Sequence, residues 1–397
     1  MSPGTRSARR GARRPTATRR PRPERRLDLS AVVADPTVRI VVCCGSGGVG
    51  KTTTAAALAL LAAEQGRRTV VLTIDPARRL AQSMGLSELD NVPREVAGVD
   101  TGTGGSLDAM MLDMKRTFDE VVEAHATPDK ARQLLANPFY QAVSSSFAGT
   151  QEYMAMEKLG QLRAQDAWDL IVVDTPPSRS ALDFLDAPER LGSFLDGRLI
   201  RILTAPARAG GRAYLKVVTA GFSLVTNTLT KILGGELLRD VQTFVAALET
   251  MFGGFRERAD QTYALLQRPE TAFVVVASPE ADALREASYF VERLGEDRMP
   301  LAGLVLNRVH GGGVAGLTAE SARAGAERLD AGRGNGLTSA LLRLHAERLQ
   351  VVAREERMYE RFHAAHPDVP VARVQAFATD VHDLEGLRDV GAQLSGR

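Results

Sequence analysis

The sequence predicts an α/β fold: a doubly wound, mostly parallel sheet with a helical insertion subdomain. Apolar runs rich in β-branched residues alternate with helical patterns, which is typical of parallel strands covered on both faces. The spacing of these runs is uneven, since 99 positions separate Asp75 from Asp174 and a comparably long stretch follows Asp174. Both long stretches are mostly helical in pattern. We therefore expect them to meet as one subdomain above the carboxyl edge of the sheet.

The predicted strands are short runs bounded by turn residues. They cover 38–44, 69–74, 169–174, 271–278, 301–307 and 369–374, with a further candidate at 106–113. The helix predicted over 52–66 follows the first strand and ends at Gly66, a residue suited to a helix C-terminus. The strand at 69–74 then closes a βαβ unit.

The helical subdomain is predicted to comprise residues 115–165 and 190–265. Within 215–233 apolar residues repeat at alternating spacings of three and four, as in an amphipathic helix; they are Leu215, Val218, Phe222, Val225, Leu229 and Ile232. Nearer the C-terminus, 338–366 predicts one or two surface helices. Four leucines there are expected to be partly buried: Leu341, Leu342, Leu344 and Leu349.

Residues 1–30 predict a disordered basic tail. Residues 1–27 carry ten arginines and one glutamate, so this stretch has a charge of +9 while the whole chain has +2. The rest of the chain is therefore acidic, at −7. Such an arm either binds anionic surfaces by counterion release or is simply solvated, and we assign it no function.

No apolar segment reaches the roughly 18 residues of a membrane span or resembles a secretory signal, so we expect a cytoplasmic protein.

The cysteine and histidine patterns argue against a disulfide or a soft-metal site. Cys43 and Cys44 are adjacent in a predicted strand, where neighbouring side chains point to opposite faces. His363 and His366 have the spacing of a ligand pair, but no third ligand lies near them in sequence.

The strongest chemical signal is the segment Gly45–Thr52, GSGGVGKT, which matches the phosphate-binding loop of nucleotide-binding proteins. It follows a predicted strand and opens a predicted helix, which is the context that the motif requires. The glycines let backbone N–H groups converge on phosphate oxygens. Lys51 is suited to neutralise the β- and γ-phosphates, and the hydroxyl of Thr52 is suited to Mg²⁺.

Two aspartates end predicted strands beside this loop. Asp174 ends DLIVVD, the position at which an NTPase holds Mg²⁺, often through water. Asp75 ends TVVLTI and is placed to orient or deprotonate an attacking water. Capping of the following turn or helix is the alternative for each residue.

Together these motifs resemble those of the ArsA-type ATPases, which drive arsenite pumps or target tail-anchored proteins. The family's GKGGVGKT loop corresponds to Gly45–Thr52, its DPA segment to 75–77 and its DTxP segment to 174–177. The resemblance continues with SPE at 278–280 and LNR at 306–308. The motifs occur in the family's order, and the corresponding domain spans 36–390.

The resemblance implies specific roles for the site residues, with ATP and Mg²⁺ as cofactors. Asp75 would polarise water for attack on the γ-phosphate with Lys51 as the second catalytic group, and Thr52 and Asp174 would serve Mg²⁺, the latter through water. Glu280 would reach nucleotide at a dimer interface, and Asn307 would contact adenine. The implied nucleotide-binding residues are Gly45, Ser46, Gly47, Gly48, Val49, Gly50, Lys51, Thr52, Thr53, Glu280 and Asn307.

Three departures from the family pattern limit what is carried over. The arsenite-binding cysteines are absent, and so is the CxxC that clamps some family dimers with zinc. Ser46 stands where relatives carry the signature lysine that crosses to the other subunit's nucleotide. Arg78 or Arg179 could supply that charge, a related subunit could supply it in a heterodimer, or a slow ATPase could tolerate its loss.

The leading interpretation is an ATPase that couples nucleotide state to movement of the helical subdomain, as an energy-transducing or targeting subunit. A partitioning-type positioning ATPase is less compatible with the long helical intervals and the mixed charges of the C-terminus. A GTPase would carry an N/T-K-x-D motif, whereas this chain has Asn307-Arg308-Val309-His310. A nucleotide-binding scaffold with low activity, paired with a related subunit, is the non-enzymatic alternative. The client remains open, and no specific nucleic-acid partner is expected.

Overall fold

Parallel strands form the centre of the molecule, as the apolar runs predict. The computed structural model describes residues 25–75, 79–138, 140–141, 150–176, 257–314, 316–331 and 336–396. Within them the strands are β1 (Ile40–Cys44), β2 (Arg68–Thr73), β3 (Arg94–Glu95), β4 (Ser106–Met111), β5 (Leu170–Asp174), β6 (Thr271–Ala277), β7 (Leu301–Val309) and β8 (Val371–Gln375).

These strands make one sheet in the order β3-β4-β2-β5-β1-β6-β7-β8. β1 lies in the middle, where Ile40 pairs with Ile171 of β5 and with Thr271 of β6. All pairs are parallel except β3 with β4. The predicted fold class is confirmed, and the candidate strand at 106–113 forms β4. β3 was not predicted, because its two exposed charged residues carry no strand pattern.

Helices flank the sheet along the described chain. They are α1 (Leu29–Ala34), α2 (Lys51–Glu64), α3 (Arg79–Ser83), α4 (Met114–His125), α5 (Pro128–Leu135), α6 (Thr150–Gln165), α7 (Ala281–Glu296), α8 (Ala319–Ala331), α9 (Gly336–Ala365) and α10 (Leu384–Leu394), with a further helical segment at 257–266.

The helix after β1 begins one residue earlier than predicted and ends near the predicted position. Gly50 precedes α2 in a left-handed conformation, Gln65 caps its C-terminus, and Gly66 follows with a φ of +98°. Most residues of α2 are buried, since it packs on the sheet and against α10. This burial explains why the helix is rich in alanine and leucine and shows no polar face.

Only part of the predicted helical subdomain lies within the described residues. In its first region α4 packs against α6, and α6 contacts the segment 257–266 through an ion pair of Glu157 with Arg258, whose atoms are 3.0 Å apart. Residues 177–256, including the amphipathic stripe of 215–233, lie outside the described residues. The extent of the subdomain therefore stays a prediction.

The surface helix near the C-terminus is a single element, α9, paired with α8. Tyr359 and Phe362 on one face of α9 are buried in the core. Leu341 and Leu344, which continue that face by helical spacing, are 56% and 63% exposed. Their predicted partial burial is wrong. At 1.5 Å per residue the 30 residues of α9 extend about 45 Å. Along this length α9 packs mainly against α8, and the buried residues of its N-terminal part are Ser339 and Ala346. Leu341 and Leu344 lie on a different face of the helix from these two.

The boundary of the N-terminal tail at residue 30 is also wrong. The N–H of Leu27 donates to the carbonyl of Val371, and the N–H of Val371 donates to the carbonyl of Arg25. Asp28 then caps α1 by accepting from the N–H of Ala31 at 3.1 Å. The fold thus begins by residue 25, whereas 1–24 lie outside the described residues. In the part of the chain that is described, no helix is long and apolar enough to cross a membrane.

Candidate nucleotide site

The loop between β1 and α2 has glycines where the backbone geometry requires them. Gly45 has a φ of +148°, and a Cβ there would lie 2.1 Å from the carbonyl oxygen of Val276. Gly50 has a φ of +95°, and its Cβ would lie 2.2 Å from Nδ2 of Asn307. Larger residues at either position would displace the loop. The glycines therefore allow the loop to pass close to the N-terminus of α2. Backbone N–H groups and the helix dipole favour an anion there.

Lys51 is buried at the base of this loop. Its side-chain ammonium donates to the backbone carbonyl of Ser46, with Nζ and O 2.7 Å apart. Burial lowers the pKa of Lys51, and the carboxylate of Asp174 opposes that shift. The ammonium is thus pre-positioned inside the loop, held by a neutral acceptor that a phosphate oxygen can replace with a stronger, charge-assisted bond.

Asp174 lies at the end of β5 and is completely buried. Its Oδ2 accepts a hydrogen bond from the hydroxyl of Thr73 at 2.9 Å, whereas its Oδ1 has no partner. Burial raises the pKa of this carboxyl to about 6, even though the hydroxyls of Thr52 and Thr73 and the Lys51 ammonium favour its charged form. A buried carboxylate oxygen without a partner indicates that a further group belongs at this position.

Asp75 is connected to Asp174 through the same hydroxyl. The N–H of Asp75 donates to Oγ1 of Thr73 at 3.2 Å, and Thr73 pairs with Asp174 across the parallel strands β2 and β5. Both carboxylates raise the pKa of Lys51 against the effect of burial, as expected of charges that lie near it. The sheet thereby brings together residues that are far apart in sequence.

The donor set suits Mg²⁺. A hard divalent ion takes oxygen ligands, and the residues present are the hydroxyl of Thr52 and the unpartnered carboxylate oxygen of Asp174. Among the described residues, no group of three or more His, Cys, Asp or Glu side chains is placed to hold a metal. This arrangement fits an ion whose remaining ligands are phosphate oxygens and water, which is the usual way in which Mg²⁺ binds to nucleotide sites.

A cleft of about 510 Å³ continues from the loop towards the ends of β7 and β8. Its lining includes Thr52 and Thr53 of the loop, Asn307 and Arg308 after β7, and Phe377. The side-chain amide of Asn307 donates to the carbonyl of Val49 at 2.8 Å, which fastens the end of β7 to the loop. The predicted residue Asn307 therefore lies beside the phosphate loop.

The other residues named from the sequence are less closely associated with the cleft. Glu280 precedes α7 in an extended conformation; it is exposed and does not line the cleft. Thr175 is anchored beneath the loop, where its hydroxyl donates to the carbonyl of Cys43 at 2.9 Å. Arg78, Pro177 and Arg179 lie outside the described residues.

The cysteines next to the loop are structural. Cys43 and Cys44 are free thiols, both buried in the core. Burial raises the pKa of Cys43 well above its usual value and that of Cys44 to about 12. Both therefore stay protonated near neutral pH and are poorly reactive and poor metal ligands.

A glycine-rich loop between a buried parallel strand and a helix, with its lysine facing a carboxylate at the end of the neighbouring strand, defines a P-loop protein of the nucleotide-hydrolase class. Comparison with known proteins identifies the family within this class. The model of the anion-transporting ATPase family matches residues 38–315, and the chain belongs to this ArsA-type family.

The similar proteins share this family character at low sequence identity. ATPase ASNA1 homolog 1 of Paramecium tetraurelia is 24% identical over 288 residues, which cover 71% of this chain and 78% of that protein. ATPase ASNA1 homolog 2 of the same organism is 23% identical over 71% of this chain and 79% of its own length. ATPase GET3 of Malassezia globosa is 28% identical over 41% of this chain and 46% of that protein.

Sequence reasoning missed two residues of this site, Thr73 and Arg308. Thr73 is a β-branched strand residue, and nothing in its run distinguishes it from its neighbours. Only its position could have identified it: Thr73 lies two residues before Asp75, and it pairs with Asp174 of the neighbouring strand. Arg308 follows Asn307 within the LNR motif, and the contact of its side chain with the loop spans 260 positions of sequence.

Proposed function

We propose that this chain binds ATP together with Mg²⁺ and hydrolyses ATP to ADP and phosphate. The observation that carries this proposal is the meeting of Lys51, Asp75 and Asp174 around a phosphate loop, with one carboxylate oxygen of Asp174 left without a partner. Membership of the ATPase family supports the same reaction.

The residues divide the work of phosphoryl transfer. The backbone of the loop and Lys51 bind the β- and γ-phosphates, and Thr52 and Asp174 hold the metal, directly or through water. Bound Mg²⁺ neutralises charge that develops on the phosphate oxygens. Asp75 orients a water and accepts its proton. The water oxygen forms a bond to the γ-phosphorus while the bond to the β,γ-bridging oxygen breaks, and that oxygen leaves with ADP. Placement of the reactants contributes much of the rate in such sites.

We extend the proposal to coupling with the rest of the molecule. Thr73 joins the end of β2 to the end of β5, and the chain that follows β5 enters the predicted helical subdomain. A change at the γ-phosphate would thus reach that subdomain through Asp174 and the segment after it. A dimer acting as an energy-transducing or targeting subunit fits this arrangement. Arsenite is an unsuitable cargo, because both cysteines of the chain are buried.

The decisive experiment is ATP turnover by the purified chain and by Lys51→Ala. Loss of the ammonium should lower turnover by about 100-fold or more, as found when one transition-state donor is removed. Lys115→Ala is the matched control, since Lys115 is a half-exposed lysine on α4 paired with Asp119. Equal turnover by the Lys51→Ala variant and the unmodified chain would refute the hydrolysis proposal.

A second candidate is a nucleotide-binding scaffold with low activity that pairs with a related subunit. It is favoured by Ser46, which places a hydroxyl without a hydrogen-bond partner where relatives have the signature lysine. A serine cannot neutralise phosphate charge. The test is to measure the mass and ATP turnover of the chain alone, of Ser46→Lys, and of the chain with a related subunit. Full activity of a homodimer, unchanged by Ser46→Lys or by the partner, would exclude the scaffold.

A further inference from the structure

The end of β7 has an irregularity that places two side chains against the phosphate loop. Between Leu306 and Val309 the pairing of β7 with β8 shifts, because β7 advances three residues while β8 advances two. Arg308 lies in this bulge with a φ of +61°. A left-handed conformation is unfavourable for an arginine, and glycine or asparagine would adopt it more readily. Such local strain is typical of positions where a side chain has a function.

The strained backbone directs Arg308 at the loop. Its Nη1 donates to the carbonyl of Gly48 at 3.0 Å, next to the bond from Asn307 to the carbonyl of Val49. The rest of the side chain is exposed and lines the cleft beside Gly50 and Thr52. Within the described ranges, Arg308 forms no salt bridge with a carboxylate. Its charge is therefore available to a ligand.

The loop carries only one positive charge of its own. Lys51 is its single cation, because position 46 is a serine, while the phosphate chain of a nucleotide carries several negative charges. The bond from Arg308 to Gly48 joins a cation to a neutral acceptor. Replacing that carbonyl with a phosphate oxygen gives a shorter and stronger charge-assisted bond, and a guanidinium can make two such bonds at once.

We propose that Arg308 is a phosphate-binding residue, whose guanidinium moves from the carbonyl of Gly48 onto the phosphate chain when nucleotide enters the cleft. It supplies from the same subunit a second positive charge beside the loop. This inference rests on the proposed nucleotide site, and it makes ADP and ATP binding depend on the end of β7 as well as on Lys51.

The test is calorimetric titration of the full chain with MgADP, so that no turnover is involved. Arg308→Ala should bind MgADP about tenfold more weakly, which is the loss expected for one charge-assisted bond. Arg308→Lys should retain most of the affinity because it retains the charge. Arg308→Gln, which can still donate to the carbonyl of Gly48, should bind as weakly as the alanine variant.

Arg298 provides a matched control. It is also an exposed arginine in a left-handed conformation, with a φ of +56°, and it follows α7 and does not line the cleft. Arg298→Ala should bind MgADP like the unmodified chain, and both alanine variants should unfold at the same denaturant concentration. Full affinity in Arg308→Ala, or in Arg308→Gln, would overturn the inference while leaving the nucleotide site intact. Failure of the unmodified chain to bind MgADP would overturn both proposals.

Discussion

Asp75 is the residue on which the chemistry of the proposed site depends most directly. The N–H of Asp75 donates to Oγ1 of Thr73, which fixes its backbone at the end of β2. In the proposed mechanism its carboxylate acts on water while other groups hold the phosphates. Asp75→Asn should lower kcat by about 100-fold or more, because it removes proton acceptance in the transition state. The affinity for ATP should stay within a few-fold, as expected for an interaction made only in the transition state.

Steady-state kinetics together with equilibrium binding of ATP will separate these effects. A variant that binds ATP poorly and yet keeps its kcat would show that Asp75 is a ground-state ligand or a structural residue.

The hydroxyl of Thr73 contacts both aspartates. Thr73→Val keeps the shape of the side chain and removes the donor to Asp174 and the acceptor for the N–H of Asp75. Residues that orient a metal ligand typically contribute 10- to 100-fold to metal affinity. We therefore expect Thr73→Val to need about tenfold more Mg²⁺ to promote ADP binding. Thr73→Ser should need the same Mg²⁺ concentration as the unmodified chain.

The measurement is a Mg²⁺ titration of ADP binding, accompanied by the free energy of unfolding of each variant. If Thr73→Val loses stability but keeps its response to Mg²⁺, the hydroxyl has a structural role only.

Among the helices, α9 has one apolar face whose residues are exposed in its N-terminal half and buried near its C-terminus. Leu344 is mostly exposed in the N-terminal half of α9, whereas Phe362 is buried in the core near its C-terminus. Leu344→Glu should change the free energy of unfolding by no more than about 0.5 kcal/mol, as for most surface positions. Phe362→Ala should cost about 3–5 kcal/mol, because it leaves a cavity. Chemical denaturation of both variants checks this, and a large loss of stability with Leu344→Glu would mean that Leu344 is covered.

The strands show what pattern alone can predict. Runs such as DLIVVD gave β5 to within one residue, because a strand buried on both faces must be apolar throughout. Sheet order was not predictable, since nothing in the sequence places β4 beyond β2 or β6 next to β1. The exposure of Leu341 was missed for a similar reason. Tertiary packing decides which turns of a helix meet the core, and the apolar period of α9 is the same over its buried and its exposed turns.

Some residues of the candidate site can likewise be predicted from the sequence, and others cannot. Lys51 and Thr52 belong to a contiguous motif whose chemistry can be recognised in eight residues. The contact of Thr73 with Asp174 spans 101 positions and exists only because β2 and β5 are neighbours. Such residues become visible when the register of the sheet is known.

At the scale of the whole molecule, the central strand carries two thiols that report on global unfolding. Cys43 and Cys44 lie in β1, between β5 and β6, and both are buried. Thiol reagents should therefore modify them only when the sheet opens. The rate of modification in native buffer should be suppressed strongly relative to that in denaturant, and measuring both rates tests the prediction. Rapid labelling of the native chain would show that β1 is accessible.

The same thiols should make the free energy of unfolding depend on pH in the alkaline range. Cys44 titrates near 9 when unfolded and at about 12 when folded, so between these values the unfolded chain has lost a proton that the folded chain retains. The free energy of unfolding should consequently fall as pH rises, by about 1.4 kcal/mol per pH unit for one thiol. Urea unfolding between pH 8 and 11 measures the slope. Cys44→Ala should have a shallower one, and an equal slope would contradict the assignment.

The pairing of residues 25–27 with β8 has a consequence for assembly. An outer strand with free N–H and C=O groups invites another chain to extend the sheet, and native proteins block this by covering or shortening such strands. Here residues 25–27 pair with Val371, the first residue of β8, and the opposite edge of the sheet is the two-residue antiparallel strand β3. Each edge therefore offers only a short length of backbone to another strand. For the dimer proposed above we therefore expect contact through helices and loops, and not through a sheet that continues from one subunit into the other.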